Sequence, residues 1–224
     1  MCLFADGAAL FERYRPATID DVIAQDKAKK QLALIKKRRA TLGGRAWFIS
    51  GKSGAGKTTL ARIIAADVAD PMGIEEIDAA DLTAAEIERR RRMLSQPLLG
   101  AKGGWALIVN EAHGLRADQV RRLLTLIEPE GGLPSFVCIV FTTTKAGEAK
   151  LFDDLDDAGP LLSRCTRVQL EERGINAAFA KRLAEIARLE GLGEPTEAQA
   201  LAVVNERRGN MRACLNDVEA GVFL

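Results

Sequence analysis

The chain reads as an α/β protein: a parallel five-stranded sheet flanked by helices over residues 1–170, followed by a small α-helical lid domain over residues 171–224. Three observations predict this. Five strand-like segments alternate with stretches of helical periodicity, the pattern of a parallel sheet. One of these segments runs through a glycine-rich turn directly into a helix-forming sequence, Trp47-Phe-Ile-Ser-Gly-Lys-Ser-Gly-Ala-Gly-Lys-Thr-Thr-Leu60. From Asn176 onward only helical periodicity remains, broken by glycines and by Gly193-Glu-Pro195.

The elements follow in order. Phe11 to Gln25 begins as an extended segment, because Pro16 biases Arg15 away from the helical region. Asp20 or Asp21 is placed to cap a short turn. Gln25 or Asp26 then opens an amphipathic helix, with Ala28, Leu32 and Ile35 on one stripe and seven Lys and Arg residues largely off it. Arg45–Ser50 is the first buried strand, and Thr59–Ala69 is the helix behind the glycine turn, ended by Pro71 and Gly73. Ile74–Asp78 reads as the second strand, and Thr83 caps a helix running to about Leu94. That helix carries Arg89-Arg-Arg-Arg92, which wraps its circumference and reads equally as a solvated surface or a phosphate contact. Trp105–Val109 is almost uniformly apolar, as a strand in the middle of a parallel sheet is. Ala117–Ile127 is helical. Ser135–Phe141 is the next strand, with Thr142, Thr143 and Thr144 emerging from its end. Leu151–Asp157 is acidic, Gly159-Pro160 turns, and Thr166–Leu170 is a last short strand. Three lid helices follow: Ala178–Glu190, Thr196–Glu206 and Asn210–Ala220.

Composition excludes several classes of function. At 224 residues, with 47% hydrophobic and 28% charged residues, the chain suits a folded globular protein rather than a disordered one. The formal charge of +1 supplies no global field toward nucleic acid or membrane, so such binding requires a local patch or oligomerisation. Four cysteines, Cys2, Cys138, Cys165 and Cys214, show no CxxC pair, and His113 is the sole histidine, so no zinc site is expected. Reduced thiols in a cytoplasmic protein are the default. The apolar N-terminus lacks a basic region and contains Asp6, and no segment approaches the length of a membrane span.

The chemistry starts at the glycine turn. Gly51-Lys-Ser-Gly-Ala-Gly56-Lys57-Thr58 fills every position of the GxxxxGK[ST] pattern, with a strand before it and a helix after. Glycines let successive N–H groups face inward, and the positive end of the following helix adds its field, so a polyphosphate fits. Lys57 then meets the outer phosphates, and the Thr58 hydroxyl serves a Mg²⁺ ion that keeps most of its waters. At the end of the third strand stands Asn110-Glu111-Ala-His113, where ligands bind in open α/β sheets. A Walker B strand normally ends in Asp-Glu, and here the aspartate position holds an amide. An amide accepts hydrogen bonds from metal-bound water but carries no charge to offset the ion. ATP is therefore expected to bind, with Mg²⁺ affinity or turnover below what an aspartate gives, and Asn110→Asp to raise turnover. With no partner ligands in the chain, His113 reads as a packed or capping residue.

With these motifs on the page the chain resembles an AAA+ ATPase with the P-loop NTPase fold. Within that class it is similar to clamp-loader subunits: replication factor C small subunits and the bacterial DNA polymerase III gamma/tau subunit, from about Phe11 to Asp217. Glu12-Arg-Tyr-Arg-Pro16 with Asp20-Asp-Val-Ile-Ala-Gln25 resembles the N-terminal box that packs around adenine, or else Tyr14 and Pro16 merely anchor a turn. Ile77–Asp81 and Leu123–Pro129 are close to the bacterial subunit's wording, and Ser163-Arg164-Cys165 matches the SRC motif. The resemblance implies ATP/ADP and Mg²⁺ as ligands. The nucleotide would be held by Tyr14, Arg15, Pro16, Val22, Ser53, Gly54, Ala55, Gly56, Lys57, Thr58, Thr59 and Arg212, and Mg²⁺ by Thr58 and, through water, Asn110. It further implies Glu111 as water activator, Thr143 (give or take one position) and Arg212 as sensors, and Arg164 as a finger reaching in trans into a neighbouring AAA+ subunit. Arg89 to Arg92, Arg116, Arg121 and Arg122 fall where clamp loaders meet DNA phosphates, so the implied partners include primed DNA and a sliding clamp; such DNA contacts are salt-sensitive and indifferent to sequence. Family members continue past the lid into a helical collar, whereas this sequence ends at Leu224, either a piece of a longer chain or a shorter relative that assembles by other means. Two rival readings follow: a hydrolysis-impaired assembly subunit that uses nucleotide structurally, and a stand-alone AAA+ regulator of transposition or recombination.

Overall fold

The computed structural model describes residues 7–128, 132–144 and 158–224. The strands are β1 (Arg45–Ser50), β2 (Ile74–Asp78), β3 (Trp105–Asn110), β4 (Val137–Thr143) and β5 (Cys165–Gln169). They form one all-parallel sheet in the order β2-β3-β4-β1-β5. Because β4 lies between β1 and β3, the carboxyl ends of all three open on the same crevice. Register makes this specific: Ser50 of β1 is level with Thr143 of β4, and Asn110 of β3 is level with Asp78 of β2.

The helices are α1 (Leu10–Arg13), α2 (Asp26–Arg39), α3 (Lys57–Val68), α4 (Ala84–Met93), α5 (Ala117–Ile127), α6 (Ala158–Ser163), α7 (Asn176–Leu189), α8 (Glu197–Glu206) and α9 (Met211–Glu219). Alternation along the strands sends Trp47, Ile49, Ile108 and Val140 to one face, where α2 and α3 cover them with Leu32, Leu60 and Ile64. Phe48, Leu107, Val109, Ile139 and Phe141 face the other way, onto Ile87 of α4 and Val120, Leu123 and Ile127 of α5. Coverage on both faces explains why β1, β3 and β4 are apolar almost throughout. Edge strand β2 has one flank without a neighbouring strand among the described residues and carries Glu75, Glu76 and Asp78. A separate apolar cluster is built from α7, α8 and α9 around Phe179, Leu183, Ala187, Val204 and Leu215, and Leu10 enters it from the far end of the chain.

Several expected boundaries move. The segment expected to be extended from Phe11 opens instead on a short helix, α1, which ends before Arg15; the constraint from Pro16 reaches back one residue and no further. Asp21 turns back to accept from the Thr18 amide and hydroxyl, at 3.0 and 2.7 Å. Helix α3 begins at Lys57, two residues earlier than expected, because Gly56 sits in the left-handed region at φ +98° and the chain turns helical at once. Strand β4 runs through Thr142 and Thr143, which pair with Ile49 and Ser50 rather than leaving the sheet. The Gly159-Pro160 turn lies inside helix α6. The acidic stretch 151–157 lies outside the described residues. Thr83 caps α4 as expected, accepting from the Glu86 amide at 3.2 Å. No helix among the described residues is long and apolar enough to cross a membrane.

Candidate functional site

The loop from Gly51 to Gly56 joins β1 to the first turn of α3, with Gly54 and Gly56 both at positive φ. At Gly56 a side chain would meet no atom within 4 Å, so the backbone faces open space there. At Gly54 the reason for glycine is contact. A Cβ would lie 2.0 Å from Asn210 Oδ1 and 2.9 Å from Asn210 Cα, which seats the start of α9 directly on the loop. Ala55 is buried beneath, whereas Lys52 and Ser53 are exposed on top. The Lys57 ammonium is turned back onto the Lys52 carbonyl at 3.0 Å. Burial holds it below the ordinary lysine range, opposed by the nearby carboxylate of Glu111 and reinforced by Arg212. A cation so withdrawn from water gains most from an anionic partner.

Asn110 lies beside this loop. Its Oδ1 accepts from the Thr142 hydroxyl at 2.9 Å and from the Thr58 hydroxyl at 3.4 Å, and its Nδ2 donates to Glu76 Oε1 at 2.7 Å. The next residue, Glu111, is in the left-handed conformation at φ 50°, ψ 49°. Its carboxylate approaches His113 Nδ1 at 3.4 Å, and the same ring nitrogen lies 3.1 Å from the Thr143 hydroxyl. The two threonines thus separate by strand alternation: Thr142 faces Asn110 and Thr58, and Thr143 faces His113.

The N-terminal box ties loop and lid together. Arg15 donates to the Thr59 hydroxyl at 3.2 Å and pairs with Glu12, while Arg13 forks onto Glu190 at the end of α7 with both contacts at 2.8 Å. The Tyr14 hydroxyl donates to the same Glu190, and the Arg13 and Arg182 guanidiniums lie over its ring at 5.9 and 5.6 Å. Pro16 is half-buried and Val22 is buried. Exposed Arg212 has its guanidinium 5.6 Å from the Phe11 ring. Gln25, which pattern reading passed over as a helix opener, is buried and exchanges two hydrogen bonds with the Glu171 backbone at the end of β5.

Arg164 is not brought into this group. Its neighbour Cys165 is level with Ala46, so Arg164 lies by the amino end of β1, five residues or about 16 Å of strand below Ser50. There it pairs with Glu128 at 2.6 Å and donates to the Pro160 carbonyl at 2.9 Å. The arginine run is largely engaged: Arg89 and buried Arg90 pair with Glu75 and Glu86, and Arg91 with Glu88. Two residues with a part in the site escaped sequence reading. Asn210 was legible only as a helix start two residues before the expected sensor Arg212, and Glu76 only as an acidic residue of a short strand.

Comparison with known proteins agrees with this geometry. The family described as "ATPase family associated with various cellular activities (AAA)" matches residues 47–173. The chain is 28% identical over 218 residues to a replication factor C large subunit of Aeropyrum pernix, covering 93% of this chain and 42% of that protein. It is 26% identical over 238 residues to DNA polymerase III subunit gamma of Buchnera aphidicola, covering 94% and 59%. Among solved structures, the Thermotoga maritima RuvB Holliday junction branch migration motor shares the fold with a TM-score of 0.69 at 24% identity, over 92% of this chain and 64% of that one. The chain thus spans about half the length of these curated relatives. With the phosphate loop, the Asn110-Glu111 strand end and a family match over more than half its length, the chain belongs to the AAA ATPase family, whose members bind nucleotide.

Proposed function

We propose that this chain is a clamp-loader-type AAA+ ATPase subunit that binds ATP with Mg²⁺, holds neighbouring AAA+ subunits in an arrangement competent for primed DNA and a sliding clamp, and releases them on hydrolysis. The nucleotide-binding unit would span 1–170 and the lid 171–224. The observation that carries the reading is the division of the site. The phosphate loop, Lys57, Thr58, Asn110 and Glu111 converge at the carboxyl ends of β1, β3 and β4, while Arg164 stands at the opposite end of the sheet, out of reach of its own loop. An arginine so placed suits a neighbour's nucleotide, since its planar, permanently charged fork matches phosphate oxygens.

The residues fit the ligands. The open face at Gly56 accommodates phosphate, and the Thr58 hydroxyl and Asn110 Oδ1 are hard oxygen donors 3.4 Å apart, as suits a magnesium ion with few protein ligands. Mg²⁺ would offset phosphate charge. Lys57 leaves the Lys52 carbonyl for the phosphates, Glu111 orients the attacking water, and Thr143 steadies Glu111 through His113. Tyr14, Arg15, Pro16 and Val22 would border the base, and Arg212 the outer phosphate. With Asn110 in place of a carboxylate, turnover is weak and depends on assembly. DNA contact falls to the arginine group, Arg89 to Arg92, Arg116, Arg121 and Arg122, within which Arg89, Arg90 and Arg91 already pair with Glu75, Glu86 and Glu88 and Arg116 with Asp118.

ATP turnover measured across protein concentration, with and without primed DNA, tests this. Turnover should rise with association, and Arg164→Ala should remove that rise, up to about 10³-fold, while leaving nucleotide binding intact. Turnover per chain that ignores concentration overturns the trans assignment. Binding without turnover at any concentration favours the second reading, a silent assembly subunit, for which Asn110 is the motivating residue.

A further inference from the structure

We propose that Glu76 of β2 supplies the negative charge on the metal side of the nucleotide site that Asn110 lacks, with Asn110 as the amide that positions it; the proposal rests on the nucleotide reading above. Three contacts carry it. Asn110 Nδ2 donates to Glu76 Oε1 at 2.7 Å, Asn110 Oδ1 accepts from the Thr142 and Thr58 hydroxyls, and Arg62 Nε of α3 donates to Glu76 Oε2 at 2.8 Å. The amide orientation is determined by this surrounding, because the opposite flip would set Oδ1 against a carboxylate. Glu76 and Thr58 are therefore both joined to one side chain, and no other residue intervenes.

Glu76 is fitted to the role in two further respects. Its side chain remains 28% exposed, so water reaches it. A carboxylate offers about four lone-pair sites, and among the described residues Asn110 and Arg62 occupy two, which leaves acceptors for waters of a bound magnesium ion. Arg62 holds the carboxylate in place from the same helix that carries Thr58. Glu76 and Asn110 also make a matched pair: an aspartate at 110 would bring two carboxylates to hydrogen-bonding distance with no proton between them, a like-charge contact that costs affinity rather than adding it. The single substitution Asn110→Asp should then gain little, in contrast to what the strand motif alone leads one to expect.

Binding of a ribose-labelled fluorescent ATP analogue, titrated with Mg²⁺, tests this on the wild type, Glu76→Gln, Asn110→Asp and the double variant. Thermal melting serves as the control for fold. Glu76→Gln should raise the Mg²⁺ concentration at half-effect by about tenfold or more, the usual loss on removing a partner just outside a metal's ligands. The double variant, which moves the charge from 76 to 110, should return it close to the wild-type value, whereas Asn110→Asp alone should not improve on wild type. A Glu76→Gln protein that melts normally and keeps its Mg²⁺ dependence overturns the proposal, as does an Asn110→Asp protein that tightens Mg²⁺ as much as the double variant. Failure of the wild type to bind the analogue at any Mg²⁺ concentration overturns the nucleotide reading itself, a different result.

Discussion

Glu111 is held in a backbone conformation that costs an L-residue roughly 1–2 kcal/mol, and the contacts that hold it are local: the Gly114 amide donates to its carbonyl at 2.8 Å and its carboxylate faces His113. The strain aims a carboxylate from the end of β3 into the crevice instead of along the strand. Replacement by glycine removes the strain and, after the extra backbone entropy of glycine, should leave Glu111→Gly about 0.5–1 kcal/mol more stable than Glu111→Gln, with turnover lost in both. A Glu111→Gly protein less stable than Glu111→Gln by about 0.5–1 kcal/mol, the entropy cost of glycine alone, would show that the conformation costs nothing. At this scale the sequence was informative wherever function is written in consecutive residues: Gly51 to Thr58 and Asn110-Glu111 were legible from spacing alone. What was not legible are the pairings across strands. Glu76 with Asn110 and His113 with Thr143 lie 34 and 30 residues apart, and only the sheet order β2-β3-β4 makes them neighbours. His113 was expected to be a packed or capping residue; it bridges two residues of the site instead.

Among the elements, α5 and α6 bear most on the proposed assembly, because the residue that caps one restrains the arginine that follows the other. Glu128 caps the carboxyl end of α5 and pairs with Arg164 at 2.6 Å, with the two side chains 54% and 34% exposed. So exposed a pair is worth about 0–1 kcal/mol, enough to orient Arg164 at rest and too little to prevent the exchange for a neighbour's phosphate that the proposed trans role requires. Glu128→Gln should therefore lower the subunit concentration at half-maximal turnover by at most about fivefold, with melting almost unchanged. A shift the other way would mean that Glu128 helps to present the arginine. Helix α6 itself was hidden from pattern reading by Gly159-Pro160, a pair that ordinarily marks a turn. Proline is tolerated there because it falls in the first turn, where its missing N–H has no partner to lose. Helices α4, α5 and α8 were legible to within a residue because their starts carry side-chain signals, such as Thr196, which accepts from the Gln199 amide at 3.3 Å.

In the whole molecule the N-terminal segment couples the lid to the phosphate loop. Leu10 is 3% exposed within the lid's own apolar cluster, Arg13 and Tyr14 bind Glu190, and two residues later Arg15 bonds Thr59 beside the loop. Residues 10–14 therefore pack as part of the lid, although the chain enters the sheet domain immediately afterwards. Pattern reading assigned them to the unit ending at 170 because sequence order carries no sign of a contact spanning more than 160 residues, such as that of Arg13 with Glu190. If α1 and α7–α9 form one cooperative unit, Leu10→Ala should cost about 2–5 kcal/mol within it, and the loss should be local. Amide hydrogen exchange is the discriminating measurement: α7–α9 should lose protection while β1, β3 and β4 keep theirs. Bound nucleotide should return part of the lost protection, because Asn210 seats the lid on the loop at Gly54 and Arg212 is proposed to reach the outer phosphate. Protection lost evenly across sheet and lid would mean that the molecule opens as one body, with no independent motion of the lid.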